Sequence, residues 1–514
     1  MLICSSVSRC TPFELEVKLS GTSVLVSCKT EKGREVYSNT HSLLERKSDK
    51  PNKLKANFAH GEQPPNVFLI GIDSMSRLNF HRVFSNTVNY LQEHDWLEYK
   101  GYNKIGDNTF PNLMALLTGK NITTVLKECD PKKHTDTCNF VWEDYSKLGY
   151  LTALMEDESS IGTFATYHFK GFRKQPTDLY YMPYVVASEK LLPVKKMEGL
   201  TYCAGPQTSV ERVLNVIKDL VLNYSDQPKF GVFWMNSVSH EDINAAGRVD
   251  EVFTNFLSEL EPDINNNTII IFLSDHGIRF GNIRVTRSGW LEERLPFLYF
   301  WIPNEFKRKF PNEYQHLKQN ADQLTTPYDI YMMLQHVLAL YKVDYSLKNS
   351  EGCSNCRSLF THINDRSCEE ASIQFHWCTC FGYNYLNPKS KLALLASHFA
   401  INEINTFLDH HPHMSQKCAR LMLKSVISAG ISVNNSYNKT FVLLIFETNP
   451  EAKFEITVSI YNGQKDWRFI NEGSTSRLDR YESTSSCVNE NKMYCVCYTS
   501  FWFYRKIFNT WFEI

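Results

Sequence analysis

Short stretches of this chain carry residue types that do chemistry. Asp73 follows the apolar run Asn66-Val-Phe-Leu-Ile-Gly-Ile, and Asp275-His276-Gly277 follows Thr268-Ile-Ile-Ile-Phe-Leu-Ser. Thr109 stands in Gly106-Asp-Asn-Thr-Phe-Pro-Asn112, ahead of an apolar stretch that ends in Thr118-Gly119. His240 and Asp242 come just after Phe230-Gly-Val-Phe-Trp-Met. A charge that follows such an apolar run needs a partner, because an unpaired buried ion is strongly disfavoured. Carboxylate, imidazole and hydroxyl together make a site for metal-assisted phosphoryl or sulfuryl transfer. Pro111 suits the first turn of a helix and Thr109 or Asn108 its cap, and a helix start attracts anions. Plainer readings stand beside these: Asp73 as a helix cap, Thr109 as a simple N-cap, His240 and Asp242 as part of a polar loop.

The elements that must position these residues follow from apolar periodicity. The runs ending near Asp73, Asp275 and Asn236, together with Tyr150–Met155, read as strands buried on both faces. Helical patterns near Val83–Glu93 and Asp250–Leu260 separate them. Apolar strands alternating with helices define an α/β fold with a mostly parallel central sheet flanked by helices. Ligands of such sheets sit beyond the carboxyl ends of the strands, where Asp73, His240 and Asp275 fall. We expect a small β-rich region over 1–60, the sheet domain over 66–345, a cysteine-rich connector over 346–385 and an α+β domain over 386–514. Within the first, residues 11–40 alternate as strands, and 47–66 reads as a linker. Within the last, Leu392–Phe407 and Ser415–Ala429 read as helical, Thr440–Phe446 and Phe454–Ile460 as strands, and Phe501–Tyr504 as core packing.

Composition narrows the function classes. A chain of 514 residues with 43% hydrophobic and 13% aromatic content is globular, not disordered. Lys and Arg number 55 against 56 Asp and Glu, so no whole-chain attraction to nucleic acid or anionic membrane exists, and no nucleic-acid partner is expected. The apolar runs are strand-sized, far short of the roughly 20 residues of a membrane helix.

Cysteine usage points to a compartment. There are 15 cysteines, grouped at Cys353/Cys356, Cys368, Cys378/Cys380 and Cys487/Cys495/Cys497. Cys353-x-x-Cys356 with Cys378-x-Cys380 matches a zinc site; disulfides in an oxidising compartment are the favoured reading. Sequons at Asn121, Asn223, Asn266, Asn434 and Asn438 favour the same extracellular or secretory-lumen location. Met1–Ser8 lacks the charged and apolar regions of a secretory signal, so we expect a signal or anchor to lie upstream of this sequence.

Taken together, Ile72-Asp73, Thr109-x-Pro with Leu116-Leu-Thr-Gly119, and Ser274-Asp-His-Gly277 resemble the alkaline phosphatase and sulfatase superfamily. Gly71-Ile-Asp-Ser-Met-Ser-Arg77, Leu291-Glu-Glu-Arg-Leu-Pro-Phe297 and His376-Trp-Cys-Thr-Cys380 are similar, within it, to an animal family of sulfatase-like proteins of unassigned function, abundant in nematodes and insects. The likeness runs from about residue 10 to 500. It implies an alkaline phosphatase-like core, with Asp73, Asp275 and His276 holding a divalent metal (Zn or Mn, one or two ions) and Thr109 as a metal-lying nucleophile. His240 and Asp242 are the candidates for a second ion; a later histidine is not evident, His362 and His376 being poor matches. Arg279 or Arg284 would pair with a substrate phosphate, and Arg77 would pin the loop after Asp73. Sulfatases carry Cys or Ser where Thr109 stands, an Arg where Leu113 stands, and a second Asp where Ser74 stands. The resemblance therefore implies a phosphodiesterase or phosphotransferase acting on a phosphate ester. The alternatives are a catalytically inactive extracellular binding protein of the same fold, or an atypical sulfatase.

Overall fold

The computed structural model describes residues 8, 10–19, 23–42, 63–129, 134–164, 170–223, 227–264, 267–342, 344–433, 439–461 and 469–498. Most of the linker, the Phe501–Tyr504 tail, Cys4 and the sequon asparagines Asn266, Asn434 and Asn438 lie outside the described residues. The chain forms two compact units. The first is Met1–Lys104, Asn108–Ile278 and Leu295–Arg366; the second is Ile105–Asp107, Arg279–Arg294 and Ser367–Ile514.

In the first unit, β1 (Ser23–Lys29) and β2 (Glu35–Ser42) make an antiparallel hairpin. The next strands are β3 (Asn66–Ile72), β4 (Leu97–Glu98), β5 (Leu151–Glu156) and β6 (Leu179–Tyr180). A small antiparallel sheet of β7 (Val194–Met197), β8 (Leu200–Ala204) and β9 (Gln207–Thr208) intervenes. Then follow β10 (Lys229–Met235), β11 (Thr268–Leu273) and β12 (Leu298–Trp301). The central sheet has the order β4-β12-β11-β3-β10-β5-β6. From β11 to β6 every pairing is parallel; β12 and β4 extend it as an antiparallel edge.

Both faces are dry because the period-two alternation of a strand delivers apolar residues to each. Val67, Leu69, Val232, Trp234, Ile269 and Ile271 pack with Leu113, Leu117, Met333 and Val337 from the helices Thr109–Thr118 and Pro327–Tyr341. Phe68, Ile70, Phe233, Ile270 and Phe272 meet Phe80, Ile217, Phe253 and Leu257 from Arg77–Val83, Ser209–Asn223 and Asp250–Ile264. Gly71 leaves room for the Trp234 ring: a Cβ there would lie 2.0 Å from its atoms.

The second unit holds an antiparallel sheet of β13 (Tyr383–Leu386), β14 (Met422–Ser432), β15 (Lys439–Asn449), β16 (Lys453–Tyr461) and β17 (Phe469–Arg477), in that order. The Lys391–Asp409 helix covers it with Ala393, Ala396, Ala400, Ile401 and Ile404. Disulfides join Cys129–Cys138 and Cys353–Cys356 in the first unit, and Cys368–Cys378, Cys418–Cys495 and Cys487–Cys497 in the second. Cys353, Cys356 and Cys378 are thus bonded to sulfur, which removes the thiolate zinc reading. Among the described residues no helix is long and apolar enough to cross a membrane.

Two local expectations fail. Residues 11–19 form no strand, since Phe13, Leu15 and Leu19 are exposed and alternation without a pairing partner closes no ladder. Ser415–Ala429 is not helical: after a short turn of helix at Pro412–Ser415 the chain enters β14. Pairing with β13 and β15 overrides the helical reading there, in a segment whose Ser425-Val-Ile-Ser run also suits a strand.

Candidate active site

The parallel register brings the carboxyl ends of β3 and β11 together, Gly71 lying beside Leu273. Two residues further on, Asp73 and Asp275 are fully buried, with His276 beside them. The loop after β3 is held in a set path. Ser74 adopts the left-handed region with φ 57°, which is uncommon outside glycine. Its N–H donates to Asp275 Oδ1 at 3.1 Å, and the Met75 N–H donates to Ser274 Oγ at 2.9 Å. Ser76 Oγ then accepts the Asn79 N–H as the N-cap of Arg77–Val83.

Asp275 divides its labour between two oxygens. Oδ1 accepts the backbone N–H groups of Ser74 and His276 (2.9 Å). Oδ2 is buried with no hydrogen-bond partner among the described residues, and so is Asp73 Oδ2. The His276 Nδ1–H donates to the Gly277 carbonyl at 2.8 Å, which turns Nε2 toward the carboxylates. Nε2 lies 3.1 Å from Asp275 Oδ2 and 3.8 Å from Asp73 Oδ1. Thr109 opens its helix without capping it: the hydroxyl donates to Asp73 Oδ1 at 2.9 Å and sits 3.4 Å from His276 Nε2.

The electrostatics follow from this crowding. Burial, then the neighbouring Asp275 charge, pushes the Asp73 carboxyl well above the usual carboxylate range. Asp275 is also buried, which acts upward, yet His276 and the hydrogen bonds to its carboxylate hold it below. Two buried carboxyl groups, each with an oxygen that no hydrogen bond reaches, and an imidazole nitrogen crowd into one dry cluster. Such a set fits a divalent cation, and one ligand atom from each of Asp73, Asp275 and His276 lies within 4.8 Å of the others. Thr109, half-buried, is the member open to the exterior, and the first turn of its helix offers backbone N–H groups to an anion.

The other expected site residues have the following surroundings. His240 and Asp242 stand outside this cluster. Their segment is a turn, with the Ser239 and His240 N–H groups on the Asn236 carbonyl, so they do not share a strand face. His240 Nδ1 is 2.6 Å from Glu241, though its charge still acts on Asp73; Asp242 Oδ1 accepts the Asn244 N–H within its own loop. Arg284 is corrected from substrate binding to structure. Fully buried in the second unit, it donates to the Arg279 and Gly289 carbonyls and lies 3.5 Å from Glu455. Arg279 pairs with Asp107 and stacks over Phe280. Arg77 is pinned by Glu98 at 2.7 Å. His376 is locked between Thr457 and Ser476.

Two positioning groups escaped the sequence reading. Ser274 carries no role in the sequence pattern, yet its Oγ accepts the Met75 N–H and holds the loop after β3. Asp157, buried just past β5, takes the Asn236 and Ser237 N–H groups and the Ser237 hydroxyl, fixing the loop after β10. The signal is in the sequence: Asp157 directly follows the mostly apolar strand β5, as Asp73 follows β3.

The family described as protein of unknown function (DUF229) matches residues 5–427, and the chain belongs to it. No curated protein matches the sequence. Among solved structures it is similar to a protein of the alkaline phosphatase superfamily from Vibrio parahaemolyticus, at 9% identity and TM-score 0.41, over 88% of this chain and 89% of that one. It is also similar to the phosphonate monoester hydrolase of Silicibacter pomeroyi (11%, TM-score 0.41, 78% and 90% covered). A third is the C-terminal periplasmic domain of EcEptC from Escherichia coli in complex with Zn (12%, TM-score 0.39, 65% and 93% covered).

Proposed function

We propose that this chain is a divalent-metal-dependent phosphoryl-transfer enzyme of the alkaline phosphatase and sulfatase superfamily, a phosphodiesterase or phosphotransferase with Thr109 as nucleophile. The observation that carries this reading is the Thr109 hydroxyl, 2.9 Å from Asp73 Oδ1 beside two orphaned buried carboxylate oxygens. Asp73, Asp275 and His276 would hold the metal, which when bound supplies Lewis-acid stabilisation of a nucleophilic oxygen and of the transferring group. Asp73 Oδ1 accepts the hydroxyl proton, leaving the Thr109 lone pairs free to attack phosphorus. The bond from phosphorus to the leaving oxygen breaks, that oxygen takes up the proton held at Asp73, and a phosphothreonine ester remains. Water then opens it in a hydrolase; a sugar or lipid hydroxyl does so in a transferase. The helix start at Thr109 orients the anionic group. The five disulfides among the described residues support action in the secretory-pathway lumen or outside the cell.

The test is metal analysis of the purified chain together with turnover of an aryl phosphate diester under added Zn or Mn. Bound metal with diester cleavage that disappears in Thr109→Ala is expected. Neither metal nor turnover with any divalent ion would overturn the enzyme reading in favour of an inactive binding protein. Sulfate release without phosphate release would move the chain to the sulfatase branch.

A further inference from the structure

The second unit contains two Cys-x-Cys pairs with different fates. In Cys495-Val-Cys497 both sulfurs are bonded, to Cys418 and Cys487. In Cys378-Thr-Cys380 only Cys378 is bonded, to Cys368, and Cys380 is a free, exposed thiol. The Cys380 sulfur nevertheless lies within 4.8 Å of both sulfurs of that disulfide. Cys368 and Cys378 are buried, 2% and 1% exposed, so Cys380 is the residue of the three that solvent reaches, although partial burial pushes its thiol pKa up. It also lines a cavity of about 500 Å³ with Trp290, Phe381 and Tyr383, which leaves space around the thiol for a reagent or a moving side chain.

We propose that Cys368, Cys378 and Cys380 form a thiol–disulfide exchange site in which one disulfide moves between two partners of Cys368. Cys380 gives up its proton, and its thiolate attacks the Cys368 sulfur. The Cys368–Cys380 bond forms, the Cys368–Cys378 bond breaks, and the Cys378 thiolate leaves and takes up a proton. Atoms and electrons balance without an external oxidant. Attack at Cys368 is favoured over attack at Cys378. It lengthens a loop whose ends are now 10 residues apart, whereas bonding Cys378 to Cys380 would close a cramped Cys-Thr-Cys ring. The exchange does not use the Thr109 cluster, so it stands or falls independently of the phosphoryl-transfer reading.

The experiment is disulfide mapping of the full chain, purified without reductant and held at mildly alkaline pH. Quenching into acid and digesting with pepsin halts exchange, because the thiolate is then absent. Peptides linked through Cys368–Cys378 and through Cys368–Cys380 are both expected. A Cys380→Ser variant is expected to show the first linkage alone, and Cys378→Ser the second alone. The exposed Cys10 and Cys28 thiols report on reagent access when the native protein is treated with a maleimide. Buried Cys378 is expected to become labelled in the wild type and to stay unlabelled in Cys380→Ser. A wild-type map holding only Cys368–Cys378 at every incubation time overturns the proposal. So does a Cys378→Ser chain in which Cys368 and Cys380 both remain alkylatable.

Discussion

At the scale of single residues, the two carboxylates are set against each other. Asp275 spends one oxygen on the Ser74 and His276 amides and leaves the other bare beside Asp73. An Asp275→Asn change keeps the amide contacts through its carbonyl oxygen but removes a like charge and a metal donor. The metal-free protein is therefore expected to melt no lower than wild type, while the rise in Tm on adding Zn or Mn disappears. A variant that melts lower and still responds to metal would contradict the assignment. Thr109 lies outside the backbone clamp, so Thr109→Ala should bind metal normally and lose diesterase turnover by roughly 10³-fold or more. Thr109→Ser, which keeps the hydroxyl, should retain measurable turnover. Single-turnover kinetics and metal analysis on the same preparations separate the two effects.

At the scale of elements, the site is made by strand ends and by the loops they launch. Gly71 sits two residues before Asp73 and against the Trp234 ring, so the position of Asp73 depends on how closely β3 and β10 approach. Gly71→Ala forces that ring or the strand to move. A loss of about 1–3 kcal/mol in denaturant unfolding is expected, together with weakened metal binding. Unchanged metal affinity at reduced stability would show that the loop after β3 holds Asp73 without help from the strand. These strands were legible in advance because a run such as Val67–Ile72, buried on both faces, leaves little choice of structure. The turn at Asn236–His240 was not. Its path is set by Asp157, which lies in another strand's loop, and no local pattern near His240 announces that contact.

At the scale of the whole molecule, the chain passes between its two units within single stretches of sequence. Arg279–Arg294 follows the Asp275-His276 motif by only a few residues yet belongs to the second unit, where Arg284 and Arg294 converge on buried Glu455. Burial would raise the Glu455 carboxyl, but Arg294, Arg284 and His376 hold it down at about 2. Because its folded pKa is depressed, it contributes stability that is fully present above the ordinary value of 4.5 and is lost as pH falls toward 2. Glu455→Gln is expected to destabilise the second unit by roughly 3–5 kcal/mol at neutral pH and to flatten its acid unfolding between those limits. Thermal melts across that range decide the matter. The Cys418–Cys495 bond joins residues 77 positions apart, so its removal by Cys418→Ala with Cys495→Ala should cost about 2–4 kcal/mol in the same unit.

A parallel sheet, the place of Asp73 and Asp275 after buried apolar runs, and a helix start at Thr109 are all legible in the sequence. Each of these follows from local periodicity, strand-sized apolar runs and helix-start chemistry, which act over a few residues. The fold sets Thr109 to donate to Asp73 rather than cap its helix, and it turns Arg284 toward Glu455. It also decided that Ser415–Ala429 leads into a strand. Those outcomes depend on partners far away in sequence, and a side chain with several local options takes the one that satisfies buried polar groups across the fold.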